Sequence, residues 1–431
     1  MASSPELRER NLGLVLTAIC QTSRSGGQAQ AAAPSRSQIA RLTGLHKTTV
    51  SQLADELLAA GLVRELAPAP GGGSGRPALP LAPAPGRLAA LGLEVNVEYL
   101  GVRAVDLSGA VAAERLERGD LRGSDPARVL ARLGRLGRDV IARLARLGTP
   151  VIGAGLALPG LTTTAGGQLA LLNAPNLGWR GLDLRPFQEG LGRPLKLDNE
   201  ANLAAAAEAR LAGPSAAERS FVYLSAEVGI GAGLVSDAAL TAGLHGWAGE
   251  VGHVTVDPSG PVCTCGARGC LEVYAGRRAI ARAAGLPESA GPRAVAAAIA
   301  AARSGAGGPA AAGFDGVVAA LAAGLSSVLN LLDVTQVVLG GDYAVLAPVL
   351  AEPLRSALAD RLLAARWGGA EVTVRPARAG ASAALDGAAW SVLDRVLANP
   401  APHLRVARSP GAATGPAPGS ATGLATGPQT A

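Results

Sequence analysis

Lysine is nearly missing. Of 39 basic residues in this 431-residue chain only Lys47 and Lys196 are lysine, and the rest are arginine. Aromatic residues make up 3%, which argues against a surface that stacks bases on successive aromatic rings. Charged side chains amount to 17% against 48% hydrophobic, a globular rather than a disordered balance. There are four cysteines, and three of them fall within eight residues. That is no disulfide framework, and it fits a reducing, cytoplasmic setting with a metal site. The polar stretch Met1–Arg10 has no apolar core, so no signal peptide is expected. Gly316–Leu332 is rich in Ala, Gly and Ser and is short for a membrane span, and the charge-free run 148–179 is broken by Pro and Gly. Both read as buried core elements.

What charge there is lies unevenly. Net charge is +6, and residues 1–90 hold nine basic side chains against five acidic ones. A basic terminus on a nearly neutral body suits a polyanionic partner. Composition breaks fall at Ala67–Gly86, at the small-residue stretch Ser304–Gly313, and from Ser409 onward, where the tail cannot offset its ordering entropy. These divide the chain into residues 1–86, a body over 87–405 and a disordered tail over 406–431. Between the breaks, strands are expected at 88–95, 99–106, Val151–Leu158, Phe221–Leu224, Gly231–Val235 and Gln336–Leu339. Helices are expected at Asp125–Leu147, Ala201–Ala212 and Val317–Leu332. The alternation predicts an α/β body with a mostly parallel sheet.

Ser37 to Leu53 carries a helix-turn-helix pattern: Ser37 as N-cap, Ala40 at the crossing, Gly44 in the turn, and Val50, Leu53 and Leu57 facing inward. Lys47, Thr48, Thr49, Ser51 and Gln52 then face outward near the start of the second helix, where a recognition helix meets base edges. An ordinary helical hairpin would show the same face to solvent. The next twenty residues favour the winged form: a strand at 61–65, the loop Gly71-Gly-Gly-Ser-Gly-Arg-Pro, and a second strand from Ala78. Arg76 in that loop suits a phosphate or the minor groove.

Residues 249–273 hold His253, Cys263, Cys265 and Cys270, one imidazole and three thiols. That is a full tetrahedral set for one structural zinc ion, closed to substrate. The alternative is three reduced cysteines beside an unrelated histidine. Lys196–Glu208 opens a helix with packed polar residues, and Asn199 and Glu200 stand at a strand end, either as a cap or as ligand contacts. Leu224–Val235 is strand, glycine turn and strand, but Glu227 and Val228 are poor company for a phosphate.

Together the Gly-Glu-x-Gly-His run at 249–253, the Cys-x-Cys-Gly-x-x-Gly-Cys-x-Glu run at 263–272, Asn199-Glu-Ala-Asn and Leu339-Gly-Gly resemble the ROK family of repressors, uncharacterised reading frames and sugar kinases. With the winged unit in front, the chain is similar to the family's regulators that respond to xylose or N-acetylglucosamine. The resemblance implies a two-lobed actin-like ATPase (ribonuclease H-like) fold with the sugar between the lobes. Lobe one would run over about 87–198 plus a C-terminal helix at about 380–398, and lobe two over about 199–379. It also implies zinc at the four ligands above, and sugar hydroxyl contacts from Asn199, Glu250, His253 and Glu272, with Gly160 and Asn173 as further contact positions.

Departures from the family's kinases bear on activity. Glu200 stands where the kinases place an aspartate base, and the longer side chain displaces the carboxylate. Leu93–Tyr99 replaces a glycine-rich phosphate turn, bringing Glu94 into it, and Glu227-Val228-Gly229 replaces a second. The expectation is therefore a sugar-responsive repressor, not an enzyme, acting as a homodimer on a double-stranded DNA operator. The competing reading is an active sugar kinase with an added DNA-binding unit.

Overall fold

The computed structural model describes residues 4–22, 33–67, 79–213, 215–305 and 308–405. The loop containing Arg76 and the tail 406–431 lie outside the described residues.

Helices α1 (Ser4–Thr22), α2 (Arg36–Thr43) and α3 (Lys47–Ala59) form a cluster completed by the antiparallel pair β1 (Val63–Glu65) and β2 (Leu81–Pro83). The cap of α2 is Ser35, not Ser37. Ser35 and Gln38 form a reciprocal pair, the Ser35 amide donating to Gln38 Oε1 at 2.7 Å and the Gln38 amide to Ser35 Oγ at 3.3 Å. That box satisfies two end groups at once, which Ser37, inside the helix, cannot do. Gly44 ends α2 at φ 70°, the left-handed turn that the motif requires. Val50, Leu53 and Leu57 are buried against Leu12, Leu16 and Ile39.

The body opens with β3 (Ala89–Val95), β4 (Tyr99–Asp106), β5 (Val111–Arg118), α4 (Pro126–Arg146) and β6 (Val151–Leu158). A small sheet of β7 (Leu161–Thr163), β8 (Ala170–Ala174) and β9 (Trp179–Asp183) comes next, then α5 (Arg185–Leu191) and β10 (Leu195–Asn199). The second half contains α6 (Glu200–Ala209), β11 (Phe221–Ala226), β12 (Ile230–Ser236), β13 (Ala239–Leu240), α7 (Leu271–Ala275) and α8 (Arg277–Ala283). It continues through α9 (Pro292–Ser304), α10 (Pro309–Leu332), β14 (Gln336–Gly340), α11 (Gly341–Ala359), α12 (Leu363–Gly368) and β15 (Thr373–Pro376), and α13 (Ala383–Ala398) closes the body.

The two five-stranded sheets run β10-β6-β3-β4-β5 and β13-β12-β11-β14-β15. Each is a three-stranded antiparallel meander extended by two parallel crossover strands. The sheets are mixed, not mostly parallel, because three-residue turns at 96–98 and 227–229 fold consecutive strands into hairpins. The same topology occurs twice without any periodic repeat in the residues. Helix α10 also differs from expectation. Pro309, which suits a first helical turn, opens it inside the stretch expected to be a loop and makes it 24 residues long. It is thus long and apolar enough to cross a membrane by length and composition. Val317, Leu321, Leu325 and Leu329 bury one face of it in the second lobe's core.

Helix α13 packs on the first sheet through missing side chains. A Cβ on Gly92 would lie 1.9 Å from Leu385 O, and one on Gly155 2.1 Å from Ala388 O. Arg103 on β4 fixes the helix further, donating to both oxygens of Asp386 at 2.9 Å. The helix also touches α6, where a Cβ on Gly387 would meet Leu203 O at 1.8 Å, and α1, where one on Gly13 would meet Ala398 O at 2.4 Å. Its Trp390, Leu393 and Val396 share one core with Leu16, Val50 and Leu57. Gly155→Ala is expected to lower stability by about 1–3 kcal/mol or more, as overpacking against rigid backbone does. Denaturant unfolding followed by circular dichroism will show it as a lower midpoint.

Candidate functional site

The C-terminal ends of β3, β10 and β11 and the N-terminus of α6 converge on a cleft of about 530 Å³ between the two lobes. Gly160, Asn199, Glu200, Glu250, His253 and Glu272 all line it. Asn173 does not, and Asn176, three residues on, does. Asn173 instead runs beneath Gly160 (φ 88°), where a Cβ would meet its carbonyl oxygen at 2.1 Å.

Asn199 is the N-cap of α6. Its Oδ1 accepts from the Ala201 amide at 2.7 Å and its Nδ2 donates to Gly160 O at 3.1 Å. The cap ties the loop after β6 to the helix that starts at Glu200. Burial pushes the Glu200 carboxyl well above its ordinary range, with Glu227 and Glu94 adding to the effect. Glu250 is likewise raised by burial, against the pull of His253. Glu272 Oε2 accepts from the Ile230 amide at 3.0 Å, and a Cβ on Gly229 would lie 2.3 Å from that oxygen. A glycine is therefore required in the 227–229 turn for Glu272 to reach β12.

On the opposite side of the cleft the two lobes hold each other. Asn96, in the β3–β4 turn, donates to Glu227 in the β11–β12 turn. Arg277, opening α8, donates to Glu98 of lobe one and to Asp342 at the start of α11. Glu94 is 1% exposed, and burial, with Glu227 nearby, raises its pKa to about 8. Glu94 lies on β3 rather than in the turn expected from the residues. The residue pattern places Asn96, Glu98 and Glu227 in these turns but gives no sign that they meet one another or Arg277 and Asp342. They lie in separate stretches that only the closed cleft brings together.

His253, Cys263, Cys265 and Cys270 offer ligand atoms all within 4.8 Å of one another. Cys265 Sγ lies 3.7 Å from Cys270 Sγ, and Cys263 Sγ 3.8 Å from His253 Nδ1. These are edges of a tetrahedron with metal–sulfur bonds of about 2.3 Å, so the donor set fits one metal ion. The hairpin is folded by Gly266 (φ 94°) and Gly269 (φ 65°), and the latter packs so closely on Asp257 O that a Cβ would fall 1.6 Å from it. Cys270 is also the N-cap residue of α7, so the cluster sets the position of Glu272. His253 turns Nδ1 toward the thiols and Nε2 toward Glu250 Oε2, 4.0 Å away.

Far from the cleft, Lys47, Thr48 and Gln52 are exposed at the start of α3, with Thr49 and Ser51 half-buried. His46 Nδ1 and Thr48 Oγ1 are 2.8 Å apart.

The family model described as the ROK family matches residues 133–395. The xylose repressor of Caldicellulosiruptor bescii is 34% identical over 247 residues, covering 57% of this chain and 61% of that protein. A ROK family transcriptional regulator, a homologue of the E. coli MLC protein, superposes with a TM-score of 0.72 at 25% identity over 94% of this chain and all of the other. A ROK family glucokinase from Streptomyces griseus, solved with glucose and AMPPNP, gives 0.57 at 24% identity over 70% of this chain and 98% of its own, the same two-lobed fold.

The raised Glu94 carboxyl makes folding depend on pH. The folded state holds this proton to about pH 8, while an unfolded glutamate loses it at about 4.3. Its contribution is therefore complete below the unfolded pKa and is lost as pH rises through the folded one. Glu94→Gln, neutral throughout, is expected to show a shallower decline of unfolding free energy between about pH 5 and 8. Denaturation series for the two proteins compare the slopes.

Proposed function

The chain belongs to the ROK family, and from that premise we propose that it is a cytoplasmic, sugar-responsive transcriptional repressor whose kinase-like body binds a sugar without phosphorylating it. The match spans 61% of the xylose repressor's own length, so the roles of individual residues belong to the proposal. Residues 1–86 form the DNA-binding unit and 87–405 the sensor body.

One observation carries the reading. The side of the cleft where a kinase would cradle phosphates is occupied by the protein's own bridges, Asn96 to Glu227 and Glu98 to Arg277 to Asp342. Those carboxylates repel a polyphosphate, and the one arginine among them is already engaged. Phosphoryl transfer needs the opposite arrangement, positioned donors around the transferring group. The other side keeps Glu250, His253 and Glu272 facing the cleft, a set that accepts from and donates to hydroxyls. Burial raises the Glu200 carboxyl well above its ordinary range, and its longer side chain stands where the kinases place an aspartate base.

Zinc is the ion assigned to His253, Cys263, Cys265 and Cys270. With four protein ligands it serves to order the loop rather than to activate water. His253 Nδ1 ligates and leaves Nε2 for a sugar hydroxyl, the division of labour that a metal-bound imidazole imposes. Lys47, Thr48, Thr49, Ser51 and Gln52 read the major groove from the start of α3, Arg76 contacts the backbone or minor groove, and a homodimer presents two such helices to a pseudo-palindromic operator. Sugar binding closes the lobes and changes how the two recognition helices are placed, through its differential affinity for the two states.

Four outcomes test this. Gln52→Ala is expected to weaken specific operator binding by about 1–3 kcal/mol in a titration at fixed salt. Cys265→Ser is expected to lose the metal by elemental analysis, and the sugar response with it, because Glu272 loses its support. The purified protein with its best sugar is expected to release no ADP above background, while Glu250→Gln abolishes sugar-induced release of the operator. Turnover of about 1–10³ per second would establish the kinase instead.

A further inference from the structure

We infer that the ligand is a neutral sugar that rests one C–H face on the indole of Trp247, a residue that also ties the two lobes together over it. The inference rests on the sugar-sensor reading above and narrows it to a ligand class and a contact.

Trp247 sits in the loop between β13 and Glu250 and lines the cleft. Its Nε1 donates to Thr162 O at 2.9 Å. The loop belongs to lobe two and Thr162 to β7 of lobe one, so this hydrogen bond crosses the cleft. Glycines flank the residue, Gly246 at φ 82° and Gly249 at φ 103°, and a Cβ on Gly249 would lie 2.4 Å from Ala232 O. The loop is thereby seated on β12. The indole nevertheless remains 38% exposed. Its one polar group is satisfied by the protein, the His245 ring packs against it with centroids 5.0 Å apart at 37°, and the aromatic surface that remains exposed lines the same cleft as Glu250.

A sugar ring has this dual character, with hydroxyls around its rim and C–H bonds on its faces. The electron-rich face of an indole attracts such hydrogens, while Glu250, His253 and Glu272 meet the hydroxyls. The cleft also selects by charge. Seven carboxylates and two arginines line it. Arg277 is taken by Glu98 and Asp342, and Arg118 ends β5 opposite Tyr99, on the side of the phosphate turns. A phosphate ester placed near Trp247 would face carboxylates with no partner, a large desolvation cost.

The test is a fluorescence and thermal-shift titration of the full-length protein with D-glucose, D-xylose and N-acetyl-D-glucosamine, each beside a phosphate ester. The expected result is that at least one neutral sugar raises the melting temperature and changes tryptophan emission, while its ester does neither at equal concentration. Trp247→Phe keeps a ring and is expected to bind the sugar but lose the emission change. Trp247→Ala is expected to weaken binding by about tenfold, the scale of one aromatic contact. Trp367→Phe, on α12 away from the cleft, is expected to keep the wild-type emission change, so that loss of a tryptophan elsewhere does not remove it. A phosphate ester that binds as well as its parent, an emission change that survives in Trp247→Phe, or wild-type affinity in Trp247→Ala overturns this inference alone. A protein stabilised by none of these sugars, neutral or esterified, overturns both it and the sensor reading.

Discussion

The close backbone packing of α13 is the constraint on which the rest of the structure depends. Four glycines, Gly13, Gly92, Gly155 and Gly387, let this one helix touch the N-terminal unit, the first sheet and α6 at distances that no side chain would permit. Helix α6 begins at the cleft with Asn199 and Glu200, and α1 carries the core against which α3 is set. The cleft and helix α3 therefore lean on opposite ends of a single rigid element. Glu208 strengthens the joint. It is fully buried on α6, paired with Arg375, and its Oε2 also accepts from the Arg378 and Ala379 amides at 2.8 and 2.9 Å, in the segment that leads into α13. A movement of the lobes has a short, stiff connection to the N-terminal helical unit.

The cleft has two electrostatic halves with opposite logic. On one side, acidic groups stand where a nucleotide's phosphates would need donors; Asn96 donates to Glu227, and Arg277 pairs with Glu98 and Asp342. On the other, carboxylates, an imidazole and an aromatic face are left for a ligand. The His253 and cysteine cluster belongs to the second half, because Cys270 occupies the N-cap position of the helix that carries Glu272, and Arg277 of the first half opens the very next helix. The two halves are thus joined covalently within eight residues.

Much of this is legible in the residues. The helix-turn-helix spacing, the four candidate metal ligands and the acidic residues Glu94 and Glu227 are local patterns, since helical periodicity and ligand spacing act over a few positions. The departures are local too. Ser37 looks like the cap until the reciprocal bond between Ser35 and Gln38 is counted, and α10 starts early because Pro309 acts as a first-turn residue rather than a breaker. Asn173 matches a sugar-contact position only by resemblance, and the cleft presents Asn176.

The sequence by itself determined the kinds of chemistry present: a thiol and imidazole cluster, a basic N-terminal unit, and the polar set Asn199, Glu250, His253 and Glu272. Tertiary structure alone decided which groups meet. Nothing in the order of residues links Asn96 to Glu227, Arg277 to Glu98, or Trp247 to Thr162, and the doubled sheet topology leaves no repeat to read. These contacts lie between 85 and 179 positions apart along the chain. They exist because two independently packed lobes close on one another, and long-range proximity is set by packing rather than by local propensity.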